Sequence, residues 1–539
     1  MKKKTIFTII LLCLVFCHHP VLGEDSAEEQ EIRKLLGEAY IMTEDYESAE
    51  AEYRKTLEED PKNVEARIGL ADILSWQKRY DESIAEYKKV LEIEPNNLQA
   101  RKKLADIMSW DKRYVEAVEL YDEVLSEKED VKARLQKARV LGWTRKYNES
   151  LQEYKKILDI KHDESIELEM NAKKAYWNNR VKHAILYYKE LIGKDMQNVE
   201  AMFDLSQIYC YQSMWEGAVK EFEGILDVAP LHFRASDGLR KVDLISNRIS
   251  LKSEYEFFEA DSADRVNDIK RHTFFNKMRY PLNYNLQIEA DYNLTDRSFS
   301  DFDDVLEHEG RIGFAYLQRP DWWMNGFYNF IDYNKGIDTI HMFGANLNLR
   351  ILDIGVSSFS FERERLENSS KVIKEGYYRD NYKGRLDFDV NRRLRMGADY
   401  LYSNYSSDNY KNELGADMLF YLLFEPARFT INYRYFFRDF DDTVGEYFSP
   451  RDFSTHKIIV NWRHFLNKEE VYFGADDLYY DLKYGIAVDS EDIVNHKFSA
   501  QLNWDINKKL NLNIRGSITN SSADVYEDES ITAAIKYYF

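Results

Sequence analysis

The sequence is poor in cysteine, proline and long apolar runs, and each shortage excludes a class of protein. Its 539 residues include 3 cysteines and 8 prolines. Cys13 and Cys17 lie within the first 23 residues, which leaves Cys210 without a disulfide partner in the rest of the chain. No stretch reaches the roughly 18 consecutive apolar residues of a transmembrane helix. We therefore expect neither a disulfide-stabilised domain nor a helical membrane protein.

Motifs of catalytic, metal and cofactor sites are also missing. We find no glycine-rich phosphate loop, no GxSxG motif, no HExxH and no paired-cysteine metal site. Acidic clusters at residues 301–304 and 439–442 are interpreted as hydrated loops, with Ca²⁺ binding as the alternative. A formal net charge of -21 disfavours nucleic acid as a partner. The sequence predicts a protein that is not an enzyme and uses no cofactor or metal.

Aromatic residues, by contrast, are abundant. The chain has 39 tyrosines and 30 phenylalanines, and aromatic residues make up 14% of it. The hydrophobic fraction, 44%, is ordinary. Many aromatic side chains without high overall hydrophobicity suit a surface that lies partly in lipid and partly in water.

The first 23 residues have the pattern of an export signal. Lys2–Lys4 give a positive start, Ile6–Phe16 is an apolar run, and Val21–Gly23 offers a cleavage site. The mature chain is therefore expected to begin at Glu24. An N-terminal membrane anchor is the alternative, but the apolar run is about half of the roughly 20 residues that a bilayer requires.

Residues 30–230 contain a repeat of about 34 residues. The stretch "LSWQKRYDESIAEYKKVLEIEP" (74–95) is echoed by "MSWDKRYVEAVELYDEVL" (108–125). One aromatic series recurs at intervals of 34, 33, 34 and 34 residues: Trp76, Trp110, Trp143, Trp177 and Tyr211. A second series keeps the same period and has a small residue four positions before each member: Tyr53, Tyr87, Tyr121, Tyr154, Tyr188 and Phe222. Each period predicts a pair of amphipathic helices that buries its apolar face against the next pair.

This pattern resembles the tetratricopeptide repeat. The resemblance implies about six helix pairs within residues 24–246, with a capping helix at 231–246, and an inner groove lined by the first helix of each pair. The groove residues implied are the first aromatic series and the residues one helical turn before it: Trp76, Trp110, Trp143, Trp177, Tyr211, Asp72, Asp106, Arg139 and Lys173. Rings flanked by hydrogen-bonding side chains suit a sugar polymer. Rings that only pack one repeat against the next, or that bind a peptide, are the alternatives.

Helical periodicity stops near residue 246 and two-residue alternation begins. In "LNLNIRGSI" (510–518), leucine and isoleucine alternate with asparagine and arginine. About sixteen such segments fill residues 247–539, and short joints mostly alternate with longer, acid-rich ones. The short joints are expected near Pro281, Pro320, Leu352, Arg392, Pro426, Asn467 and Asn507. This arrangement is typical of an outer-membrane β-barrel, with a soluble β-sandwich as the alternative.

The predicted fold class is therefore α + β, with an N-terminal α-solenoid followed by a C-terminal antiparallel transmembrane β-barrel of about 16 strands. The terminal "SITAAIKYYF" (530–539) is expected to close the barrel against "SLKSEYEFFEA" (250–260), because lipid offers no hydrogen bonds to a free strand edge. Such a barrel leaves a lumen that side chains do not fill. Six arginines are predicted to line it: Arg350, Arg395, Arg434, Arg438, Arg463 and Arg515. A solvated wall without selectivity is the alternative.

An export signal, helical repeats and a C-terminal barrel in one chain resemble the outer-membrane proteins that export exopolysaccharides. These are the porins of the poly-N-acetylglucosamine and cellulose secretion systems, and the YaiO-type barrel proteins. The resemblance implies an outer-membrane location, periplasmic repeats, and polysaccharide or periplasmic secretion proteins as partners in addition to lipid. Two other functions stay open: a factor that translocates or assembles proteins at the cell surface, and a passive pore or receptor with a repeat scaffold.

Overall fold

The computed structural model divides the chain into two compact units, Met1–Asp163 and Glu164–Phe539. The predicted export signal, residues 1–23, lies outside the residues that the structure describes. Over the described part of the chain, no helix is both long and apolar enough to cross a bilayer. The described residues are 40, 45–230, 232–262, 268–299, 304–318, 321–334, 338–367, 370–424, 426–443, 449–466, 473, 477–522 and 526–539.

Twelve consecutive helices open the described part of the chain. The first unit holds α1 (Tyr46–Glu59), α2 (Val64–Trp76), α3 (Tyr80–Ile93), α4 (Leu98–Trp110), α5 (Tyr114–Glu127), α6 (Val131–Trp143) and α7 (Tyr147–Ile160). The second unit begins with α8 (Glu164–Trp177), α9 (Val181–Lys194), α10 (Val199–Tyr211), α11 (Trp215–Val228) and α12 (Phe233–Ser246). Within each unit, every helix contacts the next along the chain, as the repeat predicts.

Local signals explain where these helices begin and end. Asn63, Asn97 and Asn198 each accept a hydrogen bond from the backbone amide three residues later, at 2.9 to 3.0 Å, and so cap α2, α4 and α10. A residue with φ between 58° and 66° follows the first helix of each pair: Lys78, Lys112, Arg145, Asn179 and Ser213. This left-handed conformation costs a non-glycine residue about 1–2 kcal/mol, and the packing of the helix pair must offset that cost.

The second aromatic series forms the core of the repeats. Tyr87, Tyr121, Tyr154 and Phe222 are at most 1% exposed. The small residues four positions earlier are all 0% exposed: Ala49, Ser83, Ala117, Ser150, Ala184 and Ala218. Small side chains at these positions leave room for the second helix to approach the first closely. The repeat in the sequence is therefore a packing pattern.

Sixteen antiparallel strands follow α12 and form a closed barrel. They are β1 (Ser250–Ser262), β2 (Ile269–Pro281), β3 (Leu286–Phe299), β4 (Val305–Gln318), β5 (Trp322–Tyr333), β6 (Ile340–Ile351), β7 (Gly355–Arg365), β8 (Tyr378–Asn391), β9 (Leu394–Tyr405), β10 (Tyr410–Leu423), β11 (Ala427–Phe440), β12 (Phe453–Phe465), β13 (Leu478–Asp489), β14 (Val494–Asn507), β15 (Leu510–Ser521) and β16 (Tyr526–Tyr538). β16 closes the barrel against β1, with Ile531 opposite Phe257. The predicted fold class and the predicted closing pair of strands are confirmed.

Alternation along the strands separates an apolar outer face from a polar inner face. Ile514 of β15 is 41% exposed and belongs to an outer belt that also includes Ile535, at 53%. Its neighbour Asn513 lies on the opposite face and donates a hydrogen bond to Asn503 at 3.2 Å. An apolar exterior around a polar interior is the surface pattern of an outer-membrane barrel.

Two of the longer connections between strands contact other parts of the chain. β12 ends at Phe465 and β13 begins at Leu478, so the short joint predicted near Asn467 is wrong. Phe473 lies in this connection. At the other end of the barrel, the connection between β7 and β8 contains a short helix, α13 (Ser370–Lys374). Val372 and Ile373 in that helix are 0% and 2% exposed, so the connection is packed against the barrel rather than free in solvent.

Candidate polymer-binding surfaces

In the first unit, each member of the first aromatic series is the last residue of the first helix of a repeat. Trp76 and Trp110 are the last residues of α2 and α4, and they are 41% and 42% exposed. The ring of Trp76 lies 5.8 Å from that of Tyr46, and the ring of Trp143 lies 6.3 Å from that of Tyr114. These rings therefore help to pack the repeats. Trp76 and Trp110 also keep a surface open to solvent.

The series continues in the second unit with Trp177 and Tyr211. Trp177 ends α8 and is half-buried. Tyr211 ends α10 and is 50% exposed, and its ring meets that of Phe473 edge to face at 6.4 Å. The last position of the series is thus in contact with the connection between β12 and β13.

The predicted groove carboxylates are bound by buried tyrosines. The hydroxyl of Tyr87 donates to Asp72 at 2.6 Å, and the hydroxyl of Tyr121 donates to Asp106 at 2.6 Å. Burial raises the pKa of Asp106, and the hydrogen bond from Tyr121 partly opposes that rise. Both pairs join the first helix of a repeat to its second helix. These aspartates therefore have a packing role, whether or not they also contact a ligand.

The predicted groove cations are less accessible than the tryptophans. Arg139 is half-buried in α6. Lys173 is 5% exposed, and its Nζ lies 2.5 Å from Asp204 Oδ2 and within 4 Å of carboxylate oxygens of Glu169 and Glu200. Burial alone would lower the pKa of Lys173, but the three carboxylates raise it. Its ammonium group is therefore charged and enclosed by acidic partners.

Phe473 attaches the last helices of the second unit to the barrel. Its ring lies 5.9 Å from that of Trp215, and the ammonium of Lys241 lies 5.8 Å from its centre. Its backbone amide donates to Gln207 Oε1 at 2.8 Å. Sequence reasoning missed this residue, because its connection lacks the alternation of the strands and was expected to be short.

A second attachment uses the start of α9. Asp353, in the turn between β6 and β7, accepts hydrogen bonds from the backbone amides of Lys182 and His183 at 2.9 and 3.2 Å. A carboxylate in this position caps the helix and interacts favourably with its dipole. Arg350 lies nearby and donates to Gln212 Oε1 at 3.1 Å. Arg350, predicted to line the lumen, is therefore at the end of the barrel that contacts the helices.

Most of the predicted lumen arginines form ion pairs with carboxylates. The pairs are Arg350–Asp353 at 3.9 Å, Arg395–Asp389 at 2.9 Å, Arg434–Asp399 at 3.1 Å, Arg438–Glu413 at 2.8 Å and Arg463–Asp481 at 2.6 Å. Asp399 is also bound by Arg385 at 2.8 Å. Among the residues described, the side chain of Arg515 has no ion-pair or hydrogen-bond partner. Arg515 thus differs from the other five.

Comparison with known proteins identifies the repeats. A tetratricopeptide-repeat family model matches residues 40–107 and 77–140. No protein of curated function matches the chain. A bacterial polysaccharide outer membrane secretin is 12% identical, with 54% of this chain and 99% of that protein covered and a TM-score of 0.45. YrrB, described as a tetratricopeptide-repeat protein with an unusual peptide-binding site, is 18% identical over 34% of this chain and 95% of its own, with a TM-score of 0.23.

A tetratricopeptide repeat protein from Parabacteroides merdae is 15% identical, with 41% of this chain and 87% of that protein covered and a TM-score of 0.32. The family match and the strand topology agree with the predicted class. The chain joins helical repeats, which match the tetratricopeptide-repeat model over residues 40–140, to a closed, sixteen-stranded antiparallel β-barrel.

Proposed function

We propose that the protein exports an exopolysaccharide across the outer membrane, with periplasmic repeats that guide the polymer and a barrel through which it leaves. The observation that carries this proposal is the amide-rich inner wall of a closed barrel. Asn503 Oδ1 accepts hydrogen bonds from Asn511 and Asn513 at 3.2 Å each, and Asn511 also donates to Asp505 at 2.8 Å. Amide side chains both donate and accept hydrogen bonds, as sugar hydroxyls require.

The attachment of α8–α12 to the barrel supports a periplasmic location for the repeats. Asp353 and Phe473, which contact these helices, lie in connections that follow even-numbered strands. Most connections at that end are short, and short turns face the periplasm in outer-membrane barrels. The segment that links α12 to β1 lies at the same end of the barrel. Arg279, near the end of β2, donates a hydrogen bond to the backbone carbonyl of Ile245 in α12.

The exposed tryptophans of the first unit support a guiding role for the repeats. Trp76 and Trp110 present open ring surfaces at equivalent positions of successive repeats. The apolar face of a pyranose ring stacks on such surfaces while its hydroxyl groups remain hydrated. Weak contacts repeated along the repeats would hold a polymer without stopping its movement.

The double variant Trp76→Ala with Trp110→Ala tests this function in cells that secrete a polysaccharide through this protein. We expect less released polymer at an unchanged amount of folded barrel, measured by heat-modifiable migration in gels. Val115→Ala is the matched control, because Val115 is a 69% exposed apolar residue on a second helix, α5. Normal release by the double variant would contradict the guiding role of the repeats.

A scaffold or protein-translocating role is the second candidate. The contacts of Trp76 with Tyr46 and of Trp143 with Tyr114 favour it, since packed rings stabilise repeats that bind proteins. A photo-crosslinker in place of Trp110 distinguishes the two functions. Capture of nascent polysaccharide supports export, whereas capture of an unfolded protein client supports translocation.

A further inference from the structure

Positive charge is distributed unevenly over the inner wall of the barrel. On β8–β11, the basic side chains of Arg385, Arg395 and Arg434 are bound to aspartates at 2.8 to 3.1 Å. On β12–β15, the side chains of Lys457, Lys483 and Arg515 have no ion-pair or hydrogen-bond partner within the described part of the chain. The first wall is thus internally neutralised, whereas the second wall carries these three unpaired cations beside the paired Arg463 and Lys497.

These three cations lie on the inner face of their strands. Lys457 precedes Ile458, Lys483 precedes Tyr484, and Arg515 follows Ile514. The three apolar neighbours belong to the exposed outer belt at 44%, 43% and 41%. Because successive side chains of a strand point to opposite faces, the cations project into the lumen.

Arg515 also lines a cavity of about 310 Å³ at the edge of this wall, where β14 and β15 meet β16 and β1. Amide and hydroxyl groups of Gln501, Asn513 and Thr532 share the cavity with Lys536. The carboxylate of Glu254 also lines the cavity, and it forms an ion pair with Lys252. The volume falls at the lower end of the range of small-molecule sites, about 300–1,000 Å³. The cavity therefore combines two cations without carboxylate partners with groups that bind hydroxyls.

We propose that this wall binds a saccharide that carries carboxylate groups, such as a uronic acid unit of the exported polymer. The proposal rests on the export function above and specifies its substrate class. A guanidinium binds a carboxylate through two parallel hydrogen bonds, and the neighbouring amides take the ring hydroxyls. Lys457 and Lys483 attract further anionic units along the same wall. A polymer of neutral or cationic sugars gains nothing from these charges.

The test measures binding of three oligosaccharides to the purified full-length protein in detergent by isothermal titration calorimetry. The probes are oligogalacturonate, a neutral malto-oligosaccharide and a cationic oligoglucosamine. We expect oligogalacturonate to bind most tightly. The double variant Arg515→Gln with Lys483→Gln is expected to weaken its binding about tenfold or more, because charge-assisted hydrogen bonds are lost.

Lys277→Gln is the matched control. Lys277 lies on β2 and its ammonium is 2.6 Å from Glu289, so its replacement removes a positive charge outside the proposed wall. We expect it to change the affinity for oligogalacturonate much less than the double variant does. A second measurement uses the unmodified protein. Added salt is expected to weaken oligogalacturonate binding and to spare malto-oligosaccharide binding, because screening acts on charges.

The outcomes separate this proposal from the export function. Equal binding of neutral and acidic oligosaccharides, insensitive to salt and to the double variant, would overturn the charge preference and leave export intact. Tighter binding of oligoglucosamine would also overturn it. Failure of all three probes to bind would contradict the saccharide-binding wall and would count against export itself.

Discussion

The rings of Tyr211 and Phe473 meet edge to face, with their centres 6.4 Å apart. Tyr211 is the last member of the aromatic series that recurs every 34 residues or so, and Phe473 belongs to the connection between β12 and β13. Their contact joins the repeat pattern to the barrel within one compact unit. It makes Phe473 the most direct place to test how the helices are held.

Replacement of Phe473 by alanine is expected to loosen the attachment of α10 and α11 without unfolding the barrel. The variant loses ring contacts with Tyr211 and Trp215, which we expect to cost about 1–2 kcal/mol. Hydrogen–deuterium exchange in detergent should then be faster in both helices. Leu282→Ala, which shortens a 53% exposed side chain in the connection between β2 and β3, is the control. Unchanged exchange in Phe473→Ala would show that this contact does not hold the helices.

Lys112→Gly is expected to stabilise the repeats. Lys112 has φ 66°, a backbone conformation that glycine adopts without the steric cost that a side chain imposes. The greater conformational freedom of glycine in the unfolded chain offsets part of this benefit. The free energy of unfolding is therefore expected to rise by about 0.5–1 kcal/mol. Chemical unfolding followed by the helical circular-dichroism signal measures it.

The control for this prediction is Glu119→Gly, in the exposed middle of α5. Glycine costs about 1 kcal/mol in a helix interior, so this variant should be less stable. A higher free energy of unfolding for Lys112→Gly and a lower one for Glu119→Gly would support the interpretation that the left-handed conformation of Lys112 is strained. Destabilisation by both would contradict it.

Acid is expected to release the connection between β7 and β8. Glu367 lies 2.8 Å from Arg297, 2.5 Å from Arg365 and 3.5 Å from Arg271. Burial alone would raise the pKa of Glu367, but the three arginines lower it to about 2 from an ordinary 4.5. A carboxylate with a lowered pKa stabilises the folded state above its ordinary pKa, and that stabilisation is lost as the pH falls toward 2.

Hydrogen–deuterium exchange of residues 370–377 between pH 5 and pH 2 measures this effect, after correction for the intrinsic pH dependence of exchange. We expect protection to decrease as the pH falls. Glu367→Gln should lower protection at pH 5 and remove most of its pH dependence. If the unmodified protein and Glu367→Gln gave the same pH profile, the carboxylate would not hold the connection.

Periodic features could be predicted from the sequence because they follow from local backbone geometry. Tyr121 and Ala117 lie four residues apart, on one face of a helix, and both are buried as the repeat requires. Asn513 and Ile514 are adjacent in a strand and face opposite sides. The fold class, the number of strands and the closing strand pair could all be inferred from such patterns.

Contacts between distant segments could not be predicted, because they depend on strand register and on the position of the helices. Arg434 and Asp399 are 35 residues apart, and their pairing requires that β9 and β11 flank β10 in a particular register. Asp353 caps α9 by accepting a hydrogen bond from the backbone amide of Lys182, which lies 171 residues earlier in the chain. The sequence could suggest six lumen arginines, but not that five of them are bound to carboxylates while Arg515 is free of them among the described residues.

Chemical blockage of the lumen tests the central claim, that polymer leaves through the barrel. Asn513→Cys places a thiol on the inner face, and Ile514→Cys places one on the outer face of the same strand. Native Cys210 is 2% exposed and burial raises the pKa of its thiol, so it should stay unlabelled. After labelling with a bulky maleimide, cells with Asn513→Cys should release much less polymer, and cells with Ile514→Cys should release a normal amount. Normal release from cells whose Asn513→Cys protein is fully labelled would contradict export through the lumen.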